Sequence, residues 1–217
     1  MSRYYPAYLD LAGRRCVVIG AGEIAERKVT QLLASGADVM LVSPSATPEL
    51  ERLAEQKEVR WIRRAYVQGD LAGAVLAVAA TDDEAVNRAV HAEAEREKTL
   101  LNVVDVPSLC GFIAPSVVER GPVTVAISTA GRSPALARKL RELMGSKQDC
   151  RCLAWASAIE VLSEVRAELR GRKETATPEA WQDAMDAELL ELVEAGRAEA
   201  AKARLLDALA PGATQTS

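Results

Sequence analysis

The sequence predicts an α/β protein, in which a parallel sheet is covered by helices and is followed by a small α+β region and a C-terminal helical domain. Three observations lead to this prediction. Short β-branched runs alternate with amphipathic stretches through the first half of the chain. A glycine-rich turn joins the first run to the first amphipathic stretch, and strand signals stop before residue 150 while helical spacing continues.

The first half predicts a β-α-β-α-β-β-α-β order. Its elements are strand Arg15–Ile19, helix Glu23–Ser35, strand Asp38–Val42, helix Thr47–Glu58, strand Val59–Ile62, strand Ala74–Ala79, helix Asp82–Lys98 and strand Leu100–Val104. Gly36 stands where a helix C-cap is expected, and Thr47-Pro48 has the N-cap and first-turn preferences of a helix start.

The second half changes rhythm. Two strand-like runs, Ser116–Glu119 and Val123–Ser128, flank a short turn and predict an antiparallel hairpin. A helix is expected from Ser133-Pro134 to Met144, and from Cys150 on helical spacing predicts one helical run to Leu169 and a second from Pro178 to Leu209. We expect four parts: residues 1–112, 113–148, 149–210 and a disordered tail, 211–217.

Composition excludes several classes of protein. The net charge of −4 and the 4% aromatic content disfavour a nucleic-acid-binding surface. No apolar run reaches the roughly 18 residues of a membrane span, and the N-terminus has no signal-peptide pattern, so a cytoplasmic protein without membrane contact is expected. The four cysteines form no CxxC pair and are expected to be thiols, Cys150 and Cys152 on the surface, and no metal site is predicted.

Residues 20–25, GAGEIA, fit the G-x-G-x-x-[GA] dinucleotide fingerprint and follow a strand directly. Gly20 would allow the tight turn, Gly22 would let a pyrophosphate approach the backbone, and Ala25 would permit close packing of helix on sheet. The free N–H groups of the helix start would face the anion. The sequence therefore predicts a Rossmann-type nucleotide site.

The fingerprint leaves the choice between NAD and NADP open. The place of the usual ribose-binding carboxylate holds Ser43-Pro44-Ser45, with no evident arginine for a 2′-phosphate. Thr81, after the fourth strand, lies at the edge where cofactor would bind, although Thr81-Asp82-Asp83 also has the composition of a helix cap.

A carboxylate, Asp105, follows the fifth strand at the same edge, after Asn102 and Val103, which we take as candidate cofactor contacts. The loop 128–134, STAGRSP, links a strand to a helix N-terminus and would suit the anionic groups of a substrate. Each feature alone is also compatible with ordinary turn chemistry.

Four stretches together resemble the precorrin-2 dehydrogenase / sirohydrochlorin ferrochelatase family, the N-terminal module of siroheme synthases. They are YLDLAGRRCVVIGAGEIAERK, AATDDEAVN, NVVDVPSLCGFIAPSVVERG and VAISTAGRSPALARKLRE. The resemblance implies a Rossmann domain, a dimerisation region and a helical domain, a homodimer, and oxidation of precorrin-2 to sirohydrochlorin with NAD in siroheme biosynthesis. It also implies a separate upstream methyltransferase and a possible separate chelatase.

The resemblance also assigns residues. Asp105 matches the essential aspartate, which is implicated as general base. Glu23 and Ile24 match positions beside the pyrophosphate, and Pro44 and Ser45 match the adenosine segment. In the second loop Ser128, Thr129, Gly131 and Arg132, with Arg138 on the next helix, are candidates for substrate binding. Modification of Ser128 or Thr129 is left open.

The sequence leaves two alternatives to the function of a monofunctional dehydrogenase. The near one is a bifunctional enzyme that also inserts ferrous iron, with Asp105 as proton acceptor. The distant one is a binding module that senses NAD(H), because a fold alone does not define an activity.

Overall fold

The computed structural model of the chain describes residues 4–146 and 153–210. It forms two compact units. The first comprises the chain up to Ala114 together with Ala130–Arg132, and the second comprises Pro115–Thr129 and the chain from Ser133 onward.

The first unit is a five-stranded parallel sheet with helices. Its elements are β1 (Arg15–Ile19), α1 (Glu23–Ala34), β2 (Asp38–Val42), α2 (Pro48–Glu55), β3 (Val59–Ile62), β4 (Leu76–Ala79), α3 (Glu84–Glu97) and β5 (Leu100–Val103). The strand order is β3-β2-β1-β4-β5. The order reverses between β1 and β4, so the crevice outside their carboxyl ends is where such folds bind ligands. The predicted fold class is confirmed.

Apolar side chains on both faces of the sheet hold this unit together. Successive strand residues point to opposite faces, and Val17 and Val18 of β1 are both fully buried. Val18 packs in a cluster with Val29 of α1, while Val17 packs in a cluster with Val90 of α3. Burial on both sides explains why the strands read as continuous apolar runs.

The second unit begins with a hairpin and a helix. Strands β6 (Ser116–Arg120) and β7 (Val123–Ile127) pair antiparallel, with Val118 opposite Val125. Helix α4 (Pro134–Gly145) follows, and the Ser133 hydroxyl accepts the N–H of Leu136 at 3.2 Å as its N-cap. The hairpin and this helix were both predicted.

Helices form the rest of the second unit. A 3-10 turn (Ala154–Ala158) precedes α5 (Ile159–Gly171), α6 (Pro178–Ala184), α7 (Ala187–Glu194) and α8 (Ala198–Ala208). The single run expected from Pro178 to Leu209 is therefore wrong, because it contains three helices. Asp186 accepts the N–H of Leu189 at 2.9 Å and starts α7, and Gly196 ends it with φ +70°.

Some expectations fall outside the described residues. These are the division near residues 148 and 149, the surface placement of Cys150 and Cys152, and the disorder of 211–217. Within residues 4–146 and 153–210, no helix is long and apolar enough to cross a membrane.

Candidate active site

Gly20 forms the tight turn that leaves β1. Its φ is +93°, and an added Cβ would lie 2.2 Å from the carbonyl oxygen of Ala80, which follows β4. Its N–H donates to the carbonyl of Val42, the last residue of β2, at 2.9 Å. Only glycine fits here, and it brings the ends of β2 and β4 to the turn at the switch point.

Gly22 is the N-cap of α1 and leaves the start of that helix open. Among residues 4–146 and 153–210, no side chain caps the first turn, and an added Cβ would meet no atom of these residues within 4 Å. Ala25 is fully buried, whereas Glu23 is exposed and Ile24 is 40% exposed. An uncapped helix N-terminus with open space in front of Gly22 can receive a phosphate group.

The loop after β2 is tied to the glycine turn. The N–H of Thr47 donates to the carbonyl of Ala21 at 3.1 Å, and its hydroxyl donates to Glu26 of α1 at 2.7 Å. Pro44 and Ser45 are exposed at this edge, as a contact with adenosine would require. Ser43 is buried, and its carbonyl accepts the indole N–H of Trp61 at 2.9 Å.

Arg63 is a residue at this edge that sequence reasoning missed. Strand β3 pairs with β2, with Ile62 opposite Val42, so Arg63 follows β3 at the carboxyl edge of the sheet. Its guanidinium lies 4.2 Å from the centre of the Trp61 ring. In the sequence, the only signal for Arg63 is its position directly after a predicted strand. The pairing of β3 with β2, which places Arg63 at this edge, is a long-range feature that local sequence does not show.

Beyond β4, Thr81 and Asp83 cap the start of α3, so the helix cap that the composition of Thr81-Asp82-Asp83 indicated is present. Asp83 accepts the N–H groups of Ala85 and Val86 at 2.8 and 3.1 Å, and the Thr81 hydroxyl accepts that of Asp83 at 3.2 Å. The Thr81 carbonyl accepts the side-chain N–H of Asn87 at 3.0 Å.

Asn87 carries a buried acceptor without a donor. The residue is 4% exposed, and its Oδ1 has no partner within the described chain. The amide cannot be flipped without placing oxygen against the Thr81 carbonyl, so Oδ1 is fixed as an acceptor. An unpaired buried acceptor costs about 1–3 kcal/mol, which favours a bound donor such as a ligand hydroxyl or water. Sequence reasoning missed Asn87, whose only signal is a polar residue on a helix's inner face.

Asn102 and Val103 support the end of β5. The Asn102 side chain donates to the carbonyl of Phe112 at 3.1 Å, and Val103 is 2% exposed. The Val103 side chain therefore packs in the core, and its contact with cofactor stays a prediction.

Asp105 is an exposed carboxylate in a left-handed backbone conformation. Its φ is +58°, a left-handed conformation that aspartate adopts more readily than most residues other than glycine. Within the described chain its side chain has no hydrogen bond or ion pair. A carboxylate without a competing partner is available to accept a proton.

Cys110 closes the loop that holds Asp105. Its Sγ accepts the N–H of Val103 at 3.2 Å and lies 3.2 and 3.4 Å from the carbonyl oxygens of Val103 and Val106. Outside the loop, Nδ1 of His91 in α3 is 3.2 Å from the carbonyl of Leu109, so this histidine supports the loop. These contacts hold both sides of Asp105.

The loop after β7 is closed by Thr129. Its hydroxyl donates to the carbonyl of Ser133 at 3.0 Å and accepts that residue's N–H at 3.1 Å. Gly131 has φ +77°, and Arg132 is exposed without a salt bridge in the described chain. Ser128, also predicted for substrate binding, is the first residue after β7. The loop presents one cation next to a helix start, which suits a carboxylate.

Arg138, also assigned to substrate, is already paired. Its Nε lies 2.8 Å from Glu142, one helical turn on, and the bond lowers the pKa of Glu142 and raises that of Arg138. Both side chains are well exposed, so the pair is weak and can be exchanged for a substrate carboxylate.

Cys16 is not a reactive thiol. Burial, and then the charge of Asp38, raises its pKa to about 11. Within residues 4–146 and 153–210 no cluster of three or more His, Cys, Asp or Glu side chains could hold a metal ion.

Together these features define a class: a nucleotide-binding Rossmann-type domain with a free carboxylate beside the crevice. Residues 7–116, half of the chain, match the family described as "Putative NAD(P)-binding", and residues 120–146 match "Sirohaem biosynthesis protein central". The cofactor of this domain is therefore a nicotinamide dinucleotide, NAD or NADP.

Curated relatives extend this result. The chain is 38% identical over 218 residues to a siroheme synthase of Methylococcus capsulatus and 41% identical over 208 residues to one of Nitrosospira multiformis. These alignments cover 98% and 93% of this chain but 44% and 43% of the relatives, so the chain spans less than half of their length. The chain belongs to the precorrin-2 dehydrogenase / sirohydrochlorin ferrochelatase family, which forms a module of siroheme synthases.

A solved structure shares the fold. "SirC, precorrin-2 dehydrogenase" matches with a TM-score of 0.74 and 24% identity, over 93% of this chain and 98% of that one. This likeness supports the arrangement of a Rossmann-type sheet followed by helices.

Proposed function

We propose that this chain oxidises precorrin-2 to sirohydrochlorin with NAD as acceptor, and that Asp105 is the general base. The observation that carries the proposal is Asp105, which follows β5 on the same sheet edge as the Gly20–Gly22 turn and whose carboxylate has no partner among the described residues. Membership of the family supplies the substrate class.

The oxidation removes a hydride and a proton from the reduced macrocycle. When bound, the nicotinamide ring takes the hydride. The chain's own residues do the rest: the open helix start at Gly22 holds phosphate, and Asp105 accepts the proton in its ionised form. A positioned base contributes typically about 10²–10⁴-fold to rate.

Two observations support a fit between these residues and a dinucleotide. The space in front of Gly22 is open for a phosphate, and any larger residue at this position would fill it with its side chain. Asn87 carries a buried acceptor that a ribose hydroxyl or a bridging water could satisfy. We propose NAD rather than NADP because the family resemblance implies NAD and the loop 43–47 offers no arginine. Arg63 is the residue that an NADP preference would use.

The substrate is a polycarboxylate, and we propose that Ser128, Thr129, Gly131, Arg132 and Arg138 contribute to binding it. We also propose a cytoplasmic homodimer. Exposed apolar side chains on the hairpin and on α4 support such an interface: Val117 is 38% exposed, Leu136 50% and Leu140 37%. An upstream methyltransferase would supply the substrate, and a chelatase would consume the product if it is separate.

The test is an anaerobic assay of the purified chain with freshly generated precorrin-2 and either NAD or NADP. We expect NADH formation together with the sirohydrochlorin spectrum, and slower reaction with NADP. Ferrous or cobaltous ion is then added; insertion faster than a no-enzyme control would establish the bifunctional alternative. Binding of NAD without any NADH formation would contradict the proposal and favour the sensing module.

A further inference from the structure

The helical part of the second unit contains a cleft that the proposed reaction does not use. Its volume is about 580 Å³, and residues 159–185 line it. Small-molecule sites typically measure about 300–1,000 Å³. None of the residues that we assign to catalysis, to cofactor or to the substrate loop lies among them.

Two arginines give the cleft its charge. Arg166 and Arg170 lie one turn apart on α5, and both are exposed. Neither has a salt bridge within the described chain, whereas Arg172, Lys202 and Arg204 of the same bundle are all paired with carboxylates. Glu174 also lines the cleft and offsets one of the two charges. Unpaired guanidinium groups about 5–6 Å apart at their Cβ atoms suit a ligand with two carboxylates.

Most of the remaining lining is apolar. Leu162, Trp181 and Met185 are each half-buried, so part of their surface faces the cleft. A tryptophan face packs well against a flat conjugated ring, and methionine adapts to its outline. The lining therefore combines a flat apolar surface with two cations.

We propose that this cleft binds a carboxylate-bearing tetrapyrrole at a second site, which shares no lining residue with those assigned to dehydrogenation. The choice of ligand rests on the proposed function, because that function supplies a conjugated polycarboxylate as substrate and product. Such a site would retain tetrapyrrole between successive reactions.

The experiment uses uroporphyrin as probe, since it is a stable polycarboxylate tetrapyrrole that cannot be dehydrogenated. The full chain is titrated at 0.15 M salt, and fluorescence anisotropy gives affinity and stoichiometry. In R166E/R170E we expect one binding site to be lost or weakened at least tenfold. The matched control is R60E/R197E, which makes the same charge change at two exposed arginines outside the cleft and should bind as the wild type does.

Turnover separates this proposal from the proposed function. R166E/R170E should dehydrogenate saturating precorrin-2 at the wild-type rate with an unchanged thermal midpoint. Unchanged uroporphyrin binding in R166E/R170E, an equal loss in R60E/R197E, or no binding to the wild type would each overturn the second site. If the wild type lacks turnover while its uroporphyrin binding depends on the two arginines, the proposed function fails and the cleft stands.

Discussion

Gly22→Asp should separate the cofactor site from the stability of the fold. Gly22 has φ −83° and ψ −173°, which any residue can adopt at an N-cap, and its Cβ position is open. An aspartate there can accept the uncapped N–H groups of α1. The same carboxylate would stand where we place the pyrophosphate.

The two effects have opposite signs. An aspartate N-cap in place of glycine, with its charge at the positive helix end, should raise the free energy of unfolding by about 0.3–1 kcal/mol. Two like charges about 4 Å apart repel by about 4 kcal/mol at an effective dielectric constant of about 20, and solvent exposure reduces this. We expect NAD affinity to fall at least tenfold, or about 1.4 kcal/mol.

Urea unfolding measures the first quantity and calorimetric titration with NAD the second. Gly20→Ala is the contrasting variant. Its Cβ would lie 2.2 Å from the Ala80 carbonyl oxygen at φ +93°, so strain and overpacking should cost about 2–5 kcal/mol. Wild-type affinity for NAD in Gly22→Asp would refute the placement of the phosphate at this turn. Destabilisation like that of Gly20→Ala would refute the open N-cap position.

Three further outcomes are expected. Cys110→Ala should lower kcat roughly tenfold to a hundredfold at unchanged NAD affinity, because it frees the loop that holds Asp105. Cys110→Ser keeps a hydrogen-bond donor and acceptor and should restore most of the rate. Equal rates in the two variants would contradict a role of Cys110 in positioning Asp105. Asn87→Ala should weaken NAD binding about tenfold in a calorimetric titration, and an unchanged affinity would mean that Oδ1 binds only water. Burial raises the pKa of the Cys16 thiol to about 11 from an unfolded value near 9, so its stabilising contribution is complete below pH 9 and is lost as the pH rises toward 11, by about 1 kcal/mol per pH unit. The free energy of unfolding of Cys16→Ala should therefore fall less steeply with pH between 9 and 11 than that of the wild type. Parallel curves for the two proteins would count against the raised pKa.

Local patterns predicted most of the fold. The strands Arg15–Ile19, Asp38–Val42 and Val59–Ile62 have the predicted limits, because apolar runs between turn residues define buried strands. The break of the last helical run into three was missed, since its apolar spacing continues across Asp186 and Gly196 and only cap geometry reveals the ends.

The candidate site was predictable where a motif carries its own mechanism. Gly20 and Gly22 follow from the fingerprint, and Asp105 from its place after a strand together with the resemblance. Cys110, Asn87 and Arg63 were not predicted as parts of the site. Their roles depend on a closed loop, on a buried amide and on the pairing of β3 with β2, and local sequence patterns give these contacts only the weak signals named above.

The role of Asp105 as general base is tested by comparing the wild-type chain with Asp105→Asn in the anaerobic precorrin-2 assay, with NAD affinity measured on the same samples. Asparagine keeps the shape of the side chain and removes its capacity as a base. We expect unchanged folding and NAD affinity within about threefold, with kcat lowered by about 10²–10⁴. Turnover near the wild-type rate in Asp105→Asn would contradict the assignment of Asp105 as general base.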